Sequence, residues 1–126
     1  MDRKKIALLY LGMIMFFTAF VSNPIAVIEW NETTIDFGEI QLKKPVTVEF
    51  TFKNPGMIPI IISDVKPSCG CTVAEFPKYP IGSGNEGKIK VTYDADSPGY
   101  FSKTITVYTN TQDGITDLFI KGIVVR

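Results

Sequence analysis

The sequence predicts an all-β protein: an Ig-like antiparallel β-sandwich of about seven strands, preceded by an N-terminal signal or anchor helix. After residue 30 the apolar residues recur with a period of two, as they do in half-buried strands. Turn signals divide these runs into short strands, and no run has convincing helical spacing. Short alternating strands in about one hundred residues are typical of a two-layer sandwich.

The clearest strand is predicted at residues 46 to 53. Valine and phenylalanine at positions 46, 48, 50 and 52 alternate with polar residues, so four large side chains lie on one face. A turn follows at Asn54-Pro55-Gly56, because proline fixes one backbone dihedral and glycine allows a positive one. Residues 58 to 65 are rich in isoleucine and predict a strand that is buried on both sides or near the centre of a sheet, with Pro59 at its start or edge.

Later alternation predicts strands at residues 88 to 93 and 104 to 107, and a last strand at 118 to 124 after a turn at 110 to 114. Gly122 is predicted to form a bulge in the last strand. Residues 77 to 87 and 94 to 99 are predicted loops. The inward positions of all these strands give the predicted core: Phe37, Val48, Phe50, Phe52, Ile60, Ile62, Ile89, Val91, Ile105, Val107, Leu118 and Ile120.

The N-terminus has the layout of a secretory signal. Arg3, Lys4 and Lys5 precede an uncharged apolar run at residues 6 to 21. Signal peptidase prefers a small residue at the third-last position before the cut, but each candidate cleavage site has phenylalanine or proline there. The apolar run could therefore also stay attached as a membrane anchor, since its length is near the lower limit of about 17 residues for a spanning helix. In both cases the basic residues send the later chain outward.

We therefore predict a signal peptide or membrane anchor at residues 1–22 and an Ig-like domain at residues 33–126. The predicted location is periplasmic, secreted or at the cell surface. Membrane contact is expected only through residues 1–22, if they are uncleaved. Without those residues the chain keeps 10 basic and 12 acidic side chains, and this balance gives no general attraction to nucleic acid.

Catalysis is not expected from the residue types present. The chain contains no histidine, so the commonest general base and the serine–histidine and cysteine–histidine nucleophile pairs are absent. Asp94 and Asp96 precede Ser-Pro-Gly and favour turn chemistry over a calcium site. Glycines 82, 84 and 87 match a dinucleotide-binding string, but the strand and helix that this string requires are not predicted. We predict no enzyme activity, no cofactor and no metal.

Aromatic side chains offer a further candidate surface for a carbohydrate or a partner. Half of them alternate as strand faces do, so packing within or against the sheets is the favoured interpretation. The residues concerned are Trp30, Tyr79, Tyr93, Tyr100, Phe101 and Tyr108.

Cys69 and Cys71, the only cysteines, have three interpretations: a structural pair at the end of the third strand, a redox dithiol, or two ligands of a soft metal. The metal site lacks further ligands except Met57 or a partner. The redox site lacks the usual helix N-terminus. In a straight strand their Cα atoms would lie about 6.6–6.8 Å apart, at the limit for a disulfide, so a bond requires a bend that Gly70 permits. We favour the structural interpretation and expect a bonded pair outside the cytoplasm.

The motifs together resemble the Cys-Gly-Cys-Thr family of secreted bacterial proteins, domain of unknown function 1573. The resemblance covers roughly residues 34 to 125. It implies an Ig-like sandwich related in architecture to Hydin-like and major-sperm-protein-like domains, and a place in the bacterial envelope, but no known activity. The matching residues are Phe37-Gly38, Ile40, Phe50, Phe52, Asn54, Gly56, Ser68-Cys69-Gly70-Cys71-Thr72, Pro80-Ile81, Gly84, Gly87, Leu118, Ile120 and Gly122.

The resulting functional prediction is an exported, non-catalytic Ig-like domain of the bacterial envelope with a binding or structural role. Exposed sheet edges accept partner strands, so a protein partner at such an edge is the expected mode of association. The alternative is an envelope thiol-redox or soft-metal-binding protein that uses Cys69 and Cys71.

Overall fold

The computed structural model describes residues 25–126, which form two four-stranded sheets packed as a sandwich. One sheet has the strand order β1-β3-β6-β5 and the other β2-β8-β7-β4. This architecture confirms the predicted all-β, Ig-like fold. The strands are β1 (Glu29–Trp30), β2 (Thr34–Gln41), β3 (Val46–Lys53), β4 (Ile62–Pro67), β5 (Thr72–Glu75), β6 (Glu86–Tyr93), β7 (Gly99–Thr109) and β8 (Ile115–Val125).

The first strand lies upstream of residue 33, the predicted start of the domain, because Glu29 and Trp30 pair with the end of β3. The predicted signal or anchor at residues 1–22 lies outside the described residues. Within residues 25–126, no helix has the length and apolar character needed to cross a bilayer.

One strand pair departs from the predicted antiparallel arrangement. β1 runs antiparallel to β3, and the chain then crosses to the opposite sheet, where β2 pairs with β8 in the parallel direction. The other strand pairs are antiparallel. Alternation within a strand defines its buried face but not the direction of its neighbour, so this crossing could not be predicted from the alternation.

The predicted core is largely confirmed, with ten of its twelve residues buried. Phe37 and Val48 are only half-buried, although both pack against the core. Both lie at the same side of the sandwich. Phe37 is on β2, the outermost strand of its sheet, and Val48 is on β3, next to the short β1. Tyr93 and Phe101 are core residues that the prediction omitted; their rings stack with centroids 4.1 Å apart.

The isoleucine-rich run at residues 58 to 65 was wrongly placed at a sheet centre. Its strand, β4, begins only at Ile62 and forms an edge of its sheet. Ile60 is buried through an isolated bridge to Ile81, whereas Ile61 is exposed. Loop residues therefore account for part of the β-branched run.

The predicted bulge is real but lies on the partner strand. Asp36 pairs with Lys121 and Glu39 with Ile123, so two residues of β2 lie opposite Gly122 alone. Gly38 supplies the positive φ of 66° that this bulge uses. Gly122 has no room for a side chain, because a Cβ atom there would lie 2.8 Å from the carbonyl oxygen of Gly38.

The connections gather at two ends of the sandwich. We call the end formed by residues 25–28, 54–61, 76–85 and 110–114 the N-terminal end, and the end formed by residues 42–45, 68–71 and 94–98 the cysteine end. The eleven residues of β7 connect the two ends. At about 3.3 Å per residue, the turn 94–98 lies roughly 33 Å from the hairpin 110–114, whereas the cysteine turn 68–71, at the end of the six-residue β4, lies roughly 20 Å from the N-terminal end.

Candidate functional site

The cysteine motif forms the turn that carries the chain from the edge strand β4 of one sheet to the edge strand β5 of the other. It therefore lies beyond the end of a strand and not within one. Ser68 fixes its start, since its N–H donates to the Thr104 carbonyl (2.8 Å) and its Oγ accepts from the Thr104 N–H (3.1 Å). The Cys71 carbonyl fixes its end by accepting from the Asp94 N–H at 3.0 Å.

Cys69 and Cys71 are joined as a disulfide in this structure, with Cα atoms 5.3 Å apart. That separation is well below the roughly 6.6 Å of a straight strand, so the turn supplies the bend that a bond requires. Gly70 does so without left-handed backbone geometry, and a Cβ at this position would contact no neighbouring atom. The buried Thr72 hydroxyl lies 3.7 and 3.8 Å from the two sulfur atoms.

The disulfide lies between the core and the surface. Both cysteines are half-buried, and Cys71 packs against the core. Lys43 approaches the same end, where its N–H donates to the Ala95 carbonyl and its Nζ lies 3.9 Å from an Asp96 oxygen. Burial raises the pKa of the Tyr93 phenol, and the Asp94 and Asp96 carboxylates raise it further. These groups support a stable turn and supply no acid–base pair.

The soft-metal interpretation loses its candidate third ligand. Met57 lies in the loop 54–61 at the N-terminal end, and the six residues of β4 separate that loop from the cysteine turn by roughly 20 Å. Within residues 25–126, no group of three or more histidine, cysteine or acidic residues is arranged to hold a metal ion.

The remaining candidate motifs have structural roles. Asp94 accepts the N–H of Asp96 at 3.1 Å, which is the turn chemistry favoured over a calcium site. Glycines 82 and 84 lie in a loop, while Gly87 lies in β6 against the Phe52 ring. No helix follows them in the described part of the chain, so the dinucleotide context is missing.

The aromatic residues do not form one surface. Trp30 packs on Phe52 with ring centroids 5.2 Å apart, and Tyr93 stacks on Phe101. Tyr79 and Tyr100 are exposed, but one lies at the N-terminal end and the other near the cysteine end. Packing therefore explains most of this set.

An open edge on β3 is the surface that the sequence did not reveal. The short β1 pairs only with Phe52 and Lys53, and the Asn31 N–H then donates to the Thr51 carbonyl at 3.0 Å. Because backbone groups in a strand point alternately to its two sides, those of Thr47 and Glu49 face the same way as the Thr51 carbonyl. Within residues 25–126, no neighbouring strand or loop bonds to these outward groups.

Apolar side chains between the two sheets remain incompletely covered beside this edge. They come from β2, β3 and the turn between them, and each packs against the core while staying half-buried: Ile35, Phe37, Leu42, Val46 and Val48. A strand added to β3 would continue the line of β1 and cover them. Their accessibility follows from the two-residue length of β1, which alternation in the sequence did not predict.

Other edges are less suited to strand addition. The bulge in β2 and its Asp36 and Glu39 side chains interrupt a regular edge, and Pro67 ends β4. The remaining edge strand, β5, has only four residues. The regular stretch of β3 at residues 46–50 is therefore the best candidate binding edge.

The family model described as protein of unknown function (DUF1573) matches residues 28–124, which confirms the resemblance based on the Cys-Gly-Cys-Thr motif. No curated protein sequence matches the chain.

Solved structures with the same fold come from proteins of different kinds. A protein of unknown function from Porphyromonas gingivalis W83 superposes with a TM-score of 0.71 at 18% identity, covering 86% of this chain and 51% of that one. The ASH/PapD-like domain 7 of human CEP192 superposes with a TM-score of 0.66 at 10% identity, covering 88% of this chain and 94% of that one. The secreted serine protease VesC from Vibrio cholerae superposes with a TM-score of 0.61 at 12% identity, covering 77% of this chain and 23% of that one.

The chain thus spans about half of the Porphyromonas protein and about a quarter of VesC. At these identities the likeness shows the fold alone. It supports the PapD-like, Ig-like architecture and carries no activity to this chain.

Proposed function

Because the chain belongs to the family described as protein of unknown function (DUF1573), and its described part is a whole Ig-like sandwich, we propose that it is an exported, non-catalytic binding domain of the bacterial cell envelope. The observation that carries the binding role is the open edge of β3 beside half-buried apolar side chains. Main-chain hydrogen bonds at such an edge give affinity, and inward side chains give specificity.

Export is supported by the order of charges at the N-terminus, where Arg3, Lys4 and Lys5 precede the apolar run. A non-catalytic role is supported by the absence of histidine from the chain. In the proposed mode, a partner segment in extended conformation pairs with residues 46–50 and places apolar side chains over Val46 and Val48. The partner class is therefore an unpaired strand or a terminal segment with alternating apolar residues.

Thr47→Pro is expected to weaken partner retention about tenfold while the domain stays folded. The substitution removes an outward N–H that pairs with no strand of the sandwich, and one such bond is worth about 1–1.5 kcal/mol. Proline is tolerated at outward-facing edge positions. The measurement is capture from the solubilised envelope of the source bacterium, with melting curves as the folding check.

Thr47→Val is the matched control, because it removes the same hydroxyl, which contacts Thr92 Oγ1 at 3.0 Å, but keeps the N–H. It should retain partners as the wild type does. Equal retention by the proline variant and the wild type would reject strand addition at β3.

The thiol-redox alternative rests on the half-buried disulfide. A ring that spans three residues restricts the unfolded chain little and stabilises the fold by only about 1.6 kcal/mol in the chain-entropy model. We expect the double variant Cys69→Ser with Cys71→Ser to lose no more than about this amount in denaturant titrations and to retain partners normally. Loss of partners in this variant, with retention by Thr47→Pro, would favour the thiol alternative.

A further inference from the structure

Large apolar side chains are exposed mainly at the N-terminal end of the sandwich. Of nine such residues among residues 25–126, six lie in its segments or next to them: Ile25, Val27, Met57, Ile61, Tyr79 and Ile115. The other three, Val73, Tyr100 and Phe119, lie on strands elsewhere. Isolated exposed apolar residues are normal on a protein surface, but a concentration of six at one end marks an interaction surface.

The loops of the N-terminal end contain few charges. Their four segments include only two charged residues, Lys78 and Asp113. Four more occupy the strand ends next to these segments: Glu29, Lys53, Glu75 and Glu86. The apolar side chains of this end are therefore presented mainly by the loops, whereas most of its charges lie at the strand ends.

Hydrogen bonds connect the loops of the N-terminal end into one platform. The buried Asn54 amide donates to the carbonyls of Ile58 and Ile81, each at 2.9 Å, and so joins the loops 54–61 and 76–85. Asn110 accepts from the Ile61 N–H at 2.8 Å and donates to the Pro59 carbonyl at 2.9 Å, which joins the hairpin 110–114.

The first described segment joins the same platform through a bridge between Ala26 and Thr111. An open groove of about 350 Å³ lies between this segment and the hairpin 110–114. The exposed side chains of these loops are thus presented on a fixed framework, which lowers the entropy lost on binding.

The sequence before the platform indicates what covers it. Residues 6 to 21 are uncharged and apolar, and only residues 22 to 24 separate this run from Ile25. Three extended residues reach at most about 10 Å. If the run is in a bilayer, the N-terminal end must therefore lie within about that distance of the lipid.

We propose that the N-terminal end of the sandwich lies against the lipid bilayer, with its six exposed apolar side chains in the interfacial region. Tyrosine is enriched at this depth, and Lys78 can extend its amine to the head groups. The end lacks a cluster of basic residues, so contact depends on apolar burial and little on anionic lipid. This orientation places the disulfide roughly 20 Å from the membrane, by the length of β4.

Photolabelling with a lipid-soluble carbene reagent tests this orientation on the full chain in phosphatidylcholine vesicles. We expect severalfold more label at Met57 and Tyr79 than at Tyr100, although Tyr100 is 89% exposed and Tyr79 only 67%. Met57→Glu should lower the label at Tyr79 and Ile115, because it introduces a charge into the contact. Val73→Glu, the same type of change on β5, should leave that label unchanged.

Equal labelling of Tyr79 and Tyr100, or no label at the N-terminal end, would overturn the proposal. Cross-links between two copies through Met57 in the presence of vesicles would also overturn it, by showing that a second copy covers this end. The proposal rests on the proposed export and on residues 1–22 remaining as an uncleaved anchor, but not on the β3 edge. Failure of this proposal can be distinguished from failure of strand addition at β3, because partner capture by the Thr47 variants is measured in solubilised envelope, without a bilayer.

Discussion

Phe50→Ala is expected to lower the free energy of unfolding by about 3–5 kcal/mol, the range for removing a fully buried phenylalanine ring. Phe50 is 1% exposed and lies at the centre of β3, where it pairs with Ile89 of β6. A domain of this size is stable by only about 5–15 kcal/mol, so the variant should lose a large fraction of its stability. Urea titration of the full chain, followed by far-ultraviolet circular dichroism, measures the loss.

Phe119→Ala is the matched control for this change. Phe119 is 38% exposed, and on β8 it alternates with the buried Leu118 and Ile120, so its ring lies on the outer face of the sheet. Its removal should cost less than about 1 kcal/mol. A similarly small loss for Phe50→Ala would show that the register of β3 is wrong.

Asn54→Ala is expected to cost about 2–4 kcal/mol, because Asn54 is a fully buried polar residue that satisfies three backbone groups. Its amide donates to Ile58 and Ile81, and its Oδ1 accepts the Gly56 N–H at 3.0 Å. Alanine leaves the Ile58 carbonyl and the Gly56 N–H without a partner, while the Ile81 carbonyl keeps its bond from the Ile60 N–H. The connection between the two loops is weakened. Melting temperature and urea midpoint should both fall.

Asn110→Ala is the matched control, because it removes similar hydrogen bonds at an exposed position and so shows how much of the loss depends on burial. The Asn110 amide also bonds two backbone groups, those of Ile61 and Pro59, but at an exposed position where water can replace it. Its loss should therefore stay below about 1 kcal/mol. Equal losses in the two asparagine variants would contradict the role assigned to the burial of Asn54.

The parts of the fold that the sequence predicted well are those set by local alternation. The run at residues 46 to 53 became β3 with the expected bounds, and its phenylalanines are buried as predicted. The turns at residues 54–56 and 110–114 follow from local proline, asparagine and glycine chemistry. These features require no knowledge of distant neighbours.

The features that the sequence did not predict depend on contacts between distant segments. The parallel pairing of β2 with β8 and the bulge opposite Gly122 arise where residues about eighty positions apart meet. The open edge of β3 depends on where β1 stops. Single-sequence alternation contains no information about which strand lies beside which.

The candidate site was predicted in part. The sequence identified Cys69 and Cys71 and the need for a bend between them. It did not predict that the bend belongs to a turn between two sheets, held by Ser68 and Thr104. The apolar platform at the N-terminal end was not predicted either, since its side chains come from segments that meet only in the folded chain.

The most direct test of the central claim, export to the envelope, uses the full chain with an epitope tag after Arg126. The tag follows β8 at the cysteine end, at the opposite end of the sandwich from Ile25. Spheroplasts of an expressing bacterium are treated with protease, and a cytoplasmic protein reports any lysis. We expect the protease to remove the tag while the cytoplasmic protein stays intact. A tag that remains protected until the cells are lysed would contradict it.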